Sequence, residues 1–165
     1  MSHPLATPLD IAREQLLSAA TGWVPEQEIC ELSDALGRIL AADQTSLFNL
    51  PQTDNVAVDG YAVDAAFLAV NPDHLFPVVG TARAGVPFSG VSAPGEAVRV
   101  FTGAVMPDGS DCVMMHEDCQ ILDAGIVCCK QLKSGTNMRP AGENISSGEL
   151  LAAKGTCLGA ADIGQ

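Results

Sequence analysis

The sequence predicts a mainly β protein with an N-terminal helix, an α+β fold in which a discontinuous outer domain carries an inserted, compact β domain. Two observations point there. Sixteen glycines and ten prolines in 165 residues interrupt the chain too often for a helical bundle and mark turns between short strands. Hydrophobic residues make up 47% but aromatic residues only 4%, so the core must be assembled from Val, Leu, Ile and Ala. A chain of this length is one ordinary domain or two small ones. Folding buries about 68–70% of its unfolded surface, so neither a staple nor a metal is needed for stability.

A helical period appears first. Thr7 is placed to cap a helix, Pro8 suits its first position, and Asp10 favours its positive end. Leu9, Ala12, Leu16 and Ala19 or Ala20 then form one apolar face, with Gly22 where the helix ends. A shorter helical turn is expected next, capped by Ser33, with Leu36, Ile39 and Leu40 inward. Beyond Ala41 the texture changes to short apolar runs. Strands are expected at 60–63, 76–84, 97–101, 112–117 and 126–130, with Asp123-Ala124-Gly125 as a hairpin loop joining the last two. These strands fall in residues 51–137, the inserted β domain. Residues 1–50 and 138–165 form the outer domain, the tail pairing back through Leu150-Leu151 and Leu158. Residues 159–165 read as the cap and first turn of another helix, so a boundary is expected there rather than a finished domain.

Twenty acidic against eight basic residues give a net charge of −12. Such a surface repels phosphate backbones and anionic lipid, which argues against nucleic acid and membrane as partners. No apolar run approaches the ~20 residues of a membrane span. The opening residues lack the basic and apolar regions of a signal peptide, so the chain is expected to be cytoplasmic. Its six cysteines contain no C-x-x-C pair with zinc-finger spacing and are read as reduced, small hydrophobic residues. Strand alternation separates His116, Glu117, Asp118 and Cys119, which argues against a free-standing Cys/His metal protein.

Three polar loops stand out. The first, Asp54-Asn55-Val56-Ala57-Val58-Asp59-Gly60-Tyr61, holds two carboxylates five positions apart. Two such groups can hold Mg²⁺ through its waters; alternatively the segment is a turn in which Asp54 and Asn55 bond nearby backbone amides. The second, Thr102-Gly103-Ala104, follows an apolar strand and can offer a hydroxyl and N–H groups to an anion. The third contains Arg139, which can grip a carboxylate or phosphate in two-pronged fashion or pair with Glu143.

Together the loops resemble a known family. Asp-Asn-Val-Ala-Val-Asp-Gly-Tyr-Ala at 54–62 is similar to the DNSAMDGYA motif of molybdopterin molybdenumtransferases, the MoeA and gephyrin E-domain family. Residues 36–41, Leu-Gly-Arg-Ile-Leu-Ala, resemble its LGRxLA segment, and 102–109, Thr-Gly-Ala-Val-Met-Pro-Asp-Gly, its TGAxxPxG loop. Residues 112–117 resemble the strand after that loop, and 139–145, Arg-Pro-Ala-Gly-Glu-Asn-Ile, the RxxGEDI stretch. Order and spacing match nearly end to end.

The resemblance implies an enzyme of molybdenum cofactor biosynthesis that inserts molybdate into adenylylated molybdopterin and releases AMP, assisted by a divalent cation such as Mg²⁺. It implies an elongated homodimer with an outer domain of coiled, bifurcated sheet, a site between protomers, and other cofactor-biosynthesis proteins as partners. Carried over by position, Asp59 is the expected catalytic and Mg²⁺-associated carboxylate, and Thr102 and Arg139 the expected substrate contacts. Two departures stand out: Asn144 replaces the motif's Asp, and Val56 and Val58 replace its Ser and Met. The family's pterin-binding domain is expected after Gln165, so the chain alone is expected to be inactive. The alternative is a non-catalytic dimerisation or binding module on the same fold.

Overall fold

The computed structural model describes residues 8–164; the predicted cap Thr7 lies outside them. The chain divides into two compact units, Met1–Ala41 with Gly155–Gln165, and Ala42–Lys154.

In the first unit, helix α1 spans Leu9–Ala20 with Pro8 at its N-cap. Its predicted apolar face is not covered: α1 buries no residue, and Leu9 and Leu16 are 83% and 73% exposed. The predicted second helix is a single 3₁₀ turn, Leu32–Asp34. Gly37 ends that region at φ 77°, a left-handed conformation that favours glycine and stops a helix. Its inward residue is Ala35, whereas Leu36 and Ile39 face solvent. The tail does return. Ile39 bridges Cys157, and the Gly37 and Leu158 N–H groups donate to the Leu158 and Arg38 carbonyls, both at 2.8 Å.

The second unit holds the β structure. In chain order it contains β1 (Gln44–Thr45), β2 (Asn55–Val56), β3 (Gly60–Val63), helix α2 (Ala65–Val70), β4 (Leu75–Phe76), β5 (Val78–Ala82), β6 (Ala97–Val100), β7 (Cys112–Met115), β8 (Cys119–Leu122), β9 (Gly125–Cys128), β10 (Met138–Arg139) and β11 (Leu150–Ala152). A final helical turn, α3 (Ala160–Ile163), belongs to the first unit. It starts where the Asp162 carboxylate accepts the Gly159 N–H at 2.7 Å.

A four-stranded sheet runs in the order β5-β6-β3-β7, antiparallel except for the parallel β5–β6 pair. Its alternating side chains feed two cores. Tyr61, Val63, Ala97, Cys112 and Met114 pack with Leu68 of α2 and with Phe76 and Ile126 of the three-stranded sheet β4-β9-β8. Ala62, Ala82, Val98, Val100 and Val113 pack on the other face with Val56 of β2 and with Ala104 and Met106 from the loop after β6.

Four differences from the sequence reading have local causes. The 76–84 run divides because Pro77 has no N–H to donate: β4 pairs with β9 and β5 with β6. The 112–117 run stops at Met115, where His116–Asp118 forms a 3₁₀ turn. The chain then restarts as β8, so the Asp123-Ala124 hairpin joins β8 to β9 rather than β7 to β9. Helix α2 was not expected; Asp64 caps it by accepting the Ala66 and Phe67 N–H groups. Lastly, the aliphatic core contains little leucine: Leu68 is the only leucine among the buried core residues described, and most of the others are exposed.

The cysteines divide rather than packing together. All six are free; Cys112 and Cys128 are buried and Cys119 half-buried, whereas Cys30, Cys129 and Cys157 are exposed. Burial pushes the Cys112 and Cys119 thiols up to about 12, so little reactive thiolate forms there at neutral pH. Alkylation of the folded chain is therefore expected to label Cys30, Cys129 and Cys157 first, with Cys112, Cys119 and Cys128 labelled only on unfolding. Peptide mass mapping checks this, and early labelling of Cys112 contradicts it.

Candidate functional site

The loop 54–61 lies between the other two. On one side the Val56 N–H donates to the Ala104 carbonyl (2.8 Å), the Gly103 N–H to the Val56 carbonyl (2.9 Å) and the Met106 N–H to the Asp54 carbonyl (2.9 Å). On the other side β2 pairs with β10, placing Arg139 opposite Asn55 and Met138 opposite Val56. All three loops singled out by sequence thus share one backbone network.

The two carboxylates do different work. The Asp54 Oδ1 accepts the Ala141 N–H at 2.8 Å and ties the third loop down. The Asp59 Oδ1 accepts both the Thr102 N–H at 2.9 Å and the Thr102 hydroxyl at 2.8 Å. The Thr102 N–H, then its hydroxyl, and more weakly the charges of Arg99 and His116, hold the Asp59 carboxyl below its ordinary value of 3.8, against slight desolvation. Asp59 is therefore a surface carboxylate kept ionised and oriented. Its Oδ2 accepts no hydrogen bond among the described residues.

Arg139 does not join that pair. Its Nε donates to the Glu143 Oε2 at 2.7 Å and its Nη2 to the Asn144 Oδ1 at 2.9 Å. Its Nη1 carries no side-chain bond among the described residues. Asp59 and Thr102 are brought together; Arg139 is attached through the β2–β10 pair.

A concavity of about 580 Å³ opens beside this network, but on the Asp54 side. Asp54, Asp108 and Asp111 line it, and Asp59, Thr102 and Arg139 do not. The Asp59–Thr102 pair lies on open surface instead. Among the described residues no group of three or more His, Cys, Asp or Glu side chains could hold a metal ion, and no helix is long and apolar enough to cross a membrane.

A family model described as the MoeA N-terminal region, domains I and II, matches residues 7–165. The chain belongs to this MoeA N-terminal family. It is 34% identical over 151 residues to the molybdopterin molybdenumtransferase of Haemophilus influenzae, covering 91% of this chain and 37% of that protein. It is 29% identical over 174 residues to gephyrin of Dictyostelium discoideum, covering 96% and 24% respectively. Two crystal structures of the molybdopterin biosynthesis MoeA protein from Pyrococcus horikoshii superimpose with TM-scores of 0.85 and 0.79 at 31% and 30% identity. They match 97% and 92% of this chain, which covers 41% of each. The chain thus spans well under half the length of these relatives.

The departures from the MoeA motifs acquire physical content here. Val56 is buried and Val58 packs against the same core, so both replacements repack the sheet face beneath the loop. Asn144 drops a charge but keeps an acceptor oxygen on Arg139. Sequence reasoning missed Arg99 and His116 beside Asp59. A charged residue within the apolar strand Ala97-Val98-Arg99-Val100 was the available signal.

Proposed function

We propose that this chain is the N-terminal part of a molybdopterin molybdenumtransferase, which takes adenylylated molybdopterin and molybdate and releases AMP. The observation that carries the reading is the Asp59–Thr102 pair: charged, oriented, and exposed among the described residues of its own unit. A preformed carboxylate without walls is half a site. Residues outside this chain supply the remainder, including the pterin-binding domain, and the chain alone is inactive.

In this reading Asp59 is the catalytic carboxylate, with Thr102 fixing its direction and Arg139 offering Nη1 to a substrate anion. A bare carboxylate repels molybdate and phosphate, and a divalent cation held by Asp59 would offset that repulsion. The donor chemistry is compatible with Mg²⁺: the Asp59 Oδ2 is a hard oxygen with no protein hydrogen bond among the described residues. Mg²⁺ keeps several waters and takes only one or two carboxylates. Held there, the ion would supply charge neutralisation for an anionic substrate. Asp59's own contribution is to stay ionised and aimed.

The dimer-forming role is assigned to the outer region, residues 1–50 with 138–165, and residues 51–137 are the inserted β domain. The uncovered apolar side chains of α1, with Trp23 and Ile29, support association of two protomers through that region. The cytoplasm is the proposed compartment.

The test is AMP release by the complete protein carrying this chain, supplied with adenylylated molybdopterin, molybdate and Mg²⁺. Catalytic AMP release supports the reading. Its absence from an intact, folded protein leaves the non-catalytic module, which the loss of a carboxylate at Asn144 already favours.

A further inference from the structure

The strands that hold Asp59 also carry a row of cations and rings across the sheet. The Arg83 guanidinium carbon lies 5.4 Å from the Phe101 ring centroid. That of Arg99 lies 4.9 Å from Phe101 and 4.8 Å from Tyr61. Tyr61 in turn stacks on His116, with centroids 6.1 Å apart and planes at 27°. Register produces the row: Arg99 of β6 stands opposite Tyr61 of β3 on one flank and Thr81 of β5 on the other.

Arg99 sits at its centre and reaches the Asp59 segment twice. Its Nη1 donates to the Gly60 carbonyl at 3.1 Å and approaches the His116 Nδ1 at 3.3 Å. The His116 backbone N–H donates in its turn to the Asp59 carbonyl at 3.1 Å. Both peptide groups flanking the turn from Asp59 into β3 are therefore held, one directly by Arg99 and one through the residue that Arg99 contacts. Among the described residues Arg99 forms no ion pair, although the chain has twenty acidic side chains. Its charge is left to act beside Asp59.

We propose that Arg99 is a positioning residue for the Asp59–Thr102 pair, wedged between Tyr61 and Phe101 so that it grips the Gly60 carbonyl and His116 together. The proposal rests on the reading of Asp59 as the site carboxylate. Lysine would supply charge but neither the planar stacking on two rings nor the forked donors.

Carboxyl-detected NMR titration of this chain tests it without recourse to turnover. In the wild type the Asp59 carboxyl titrates below the ordinary aspartate range. Arg99→Met raises its midpoint and moves the Thr102 amide resonance; Arg99→Lys restores the midpoint in part and the amide position less. If Arg99→Met does not fold, Phe101→Leu removes one wall of the wedge with Arg99 in place and shifts the same two signals less. An unmoved Asp59 midpoint and Thr102 amide in folded Arg99→Met, or in folded Phe101→Leu where Arg99→Met does not fold, overturns the proposal. In the complete protein Arg99→Lys lowers kcat more than it raises KM. A moved titration in a protein that never releases AMP defeats the enzymatic reading alone.

Discussion

Asp59→Ala in the complete protein is expected to lower AMP release by about 10²- to 10³-fold or more, the range for removing one preorganised electrostatic group from a reaction centre, with the fold intact. The structural half of this expectation follows from exposure: Asp59 lies on the surface and both hydrogen bonds of its carboxylate go to the exposed Thr102, so no buried donor is orphaned by its loss. The functional half follows from charge. Asp59→Asn keeps an oxygen for the Thr102 donors but removes the anion, so it separates orientation from charge; loss comparable to Asp59→Ala assigns the effect to charge. Unchanged turnover in Asp59→Ala removes the residue from the mechanism.

The pH dependence has a definite sign. The folded carboxyl lies below its ordinary value of 3.8 because Thr102 donates to its ionised form. Asp59 therefore stabilises the fold fully above the unfolded value, and that contribution disappears as pH falls through the lower folded value. Its ionisation limits no activity near neutrality. Thr102→Val removes the hydroxyl donor but keeps the N–H, and so moves the titration upward toward the ordinary value.

The three polar segments were more legible than the fold around them. Asp59, Thr102 and Arg139 stand in short polar stretches of an aliphatic sequence; the structure brings Asp59 to Thr102 and leaves Arg139 on Glu143 and Asn144. The strand Gly60–Val63 was equally plain, bounded by a glycine and carrying only apolar side chains. Burial of the outer region was not legible. The period of Leu9, Ala12 and Leu16 reads as a core-facing helix, yet α1 buries no residue among the described residues, because period reports a face and not what covers it. The β7–β8 interruption was hidden too, since the 3₁₀ turn at His116–Asp118 depends on β7 and β8 belonging to different sheets. Arg99 escaped notice because its meaning lies in Tyr61, its cross-strand partner in β3, and in His116, in the turn after β7, which register and that turn bring to it.

Gly60→Ala is expected to be among the most destabilising conservative substitutions in the second unit, by about 3 kcal/mol, the upper part of the overpacking range. Gly60 pairs with Met115 in β7 and Val100 in β6, and it is buried. A Cβ there would fall inside the van der Waals envelope of the Met114 carbonyl oxygen and 3.1 Å from the Val113 Cγ1. The obstacle is backbone in a central strand pair, so no side-chain rotamer relieves it and β3 must move against β7. Gly90→Ala is the control, because its added methyl meets only the Phe88 ring, at 3.3 Å. Thermal unfolding should show Gly60→Ala melting lower by on the order of 10 °C and Gly90→Ala close to wild type. Because Gly60 follows Asp59 and its carbonyl is held by Arg99, the same shift displaces the carboxylate. Gly60→Ala should thus disturb the Thr102 amide resonance even below its melting point, whereas Phe76→Ala, at the far core between the sheets, should lower stability and leave that resonance in place. Equal melting temperatures for Gly60→Ala and wild type would mean that β3 and β7 lie farther apart than described.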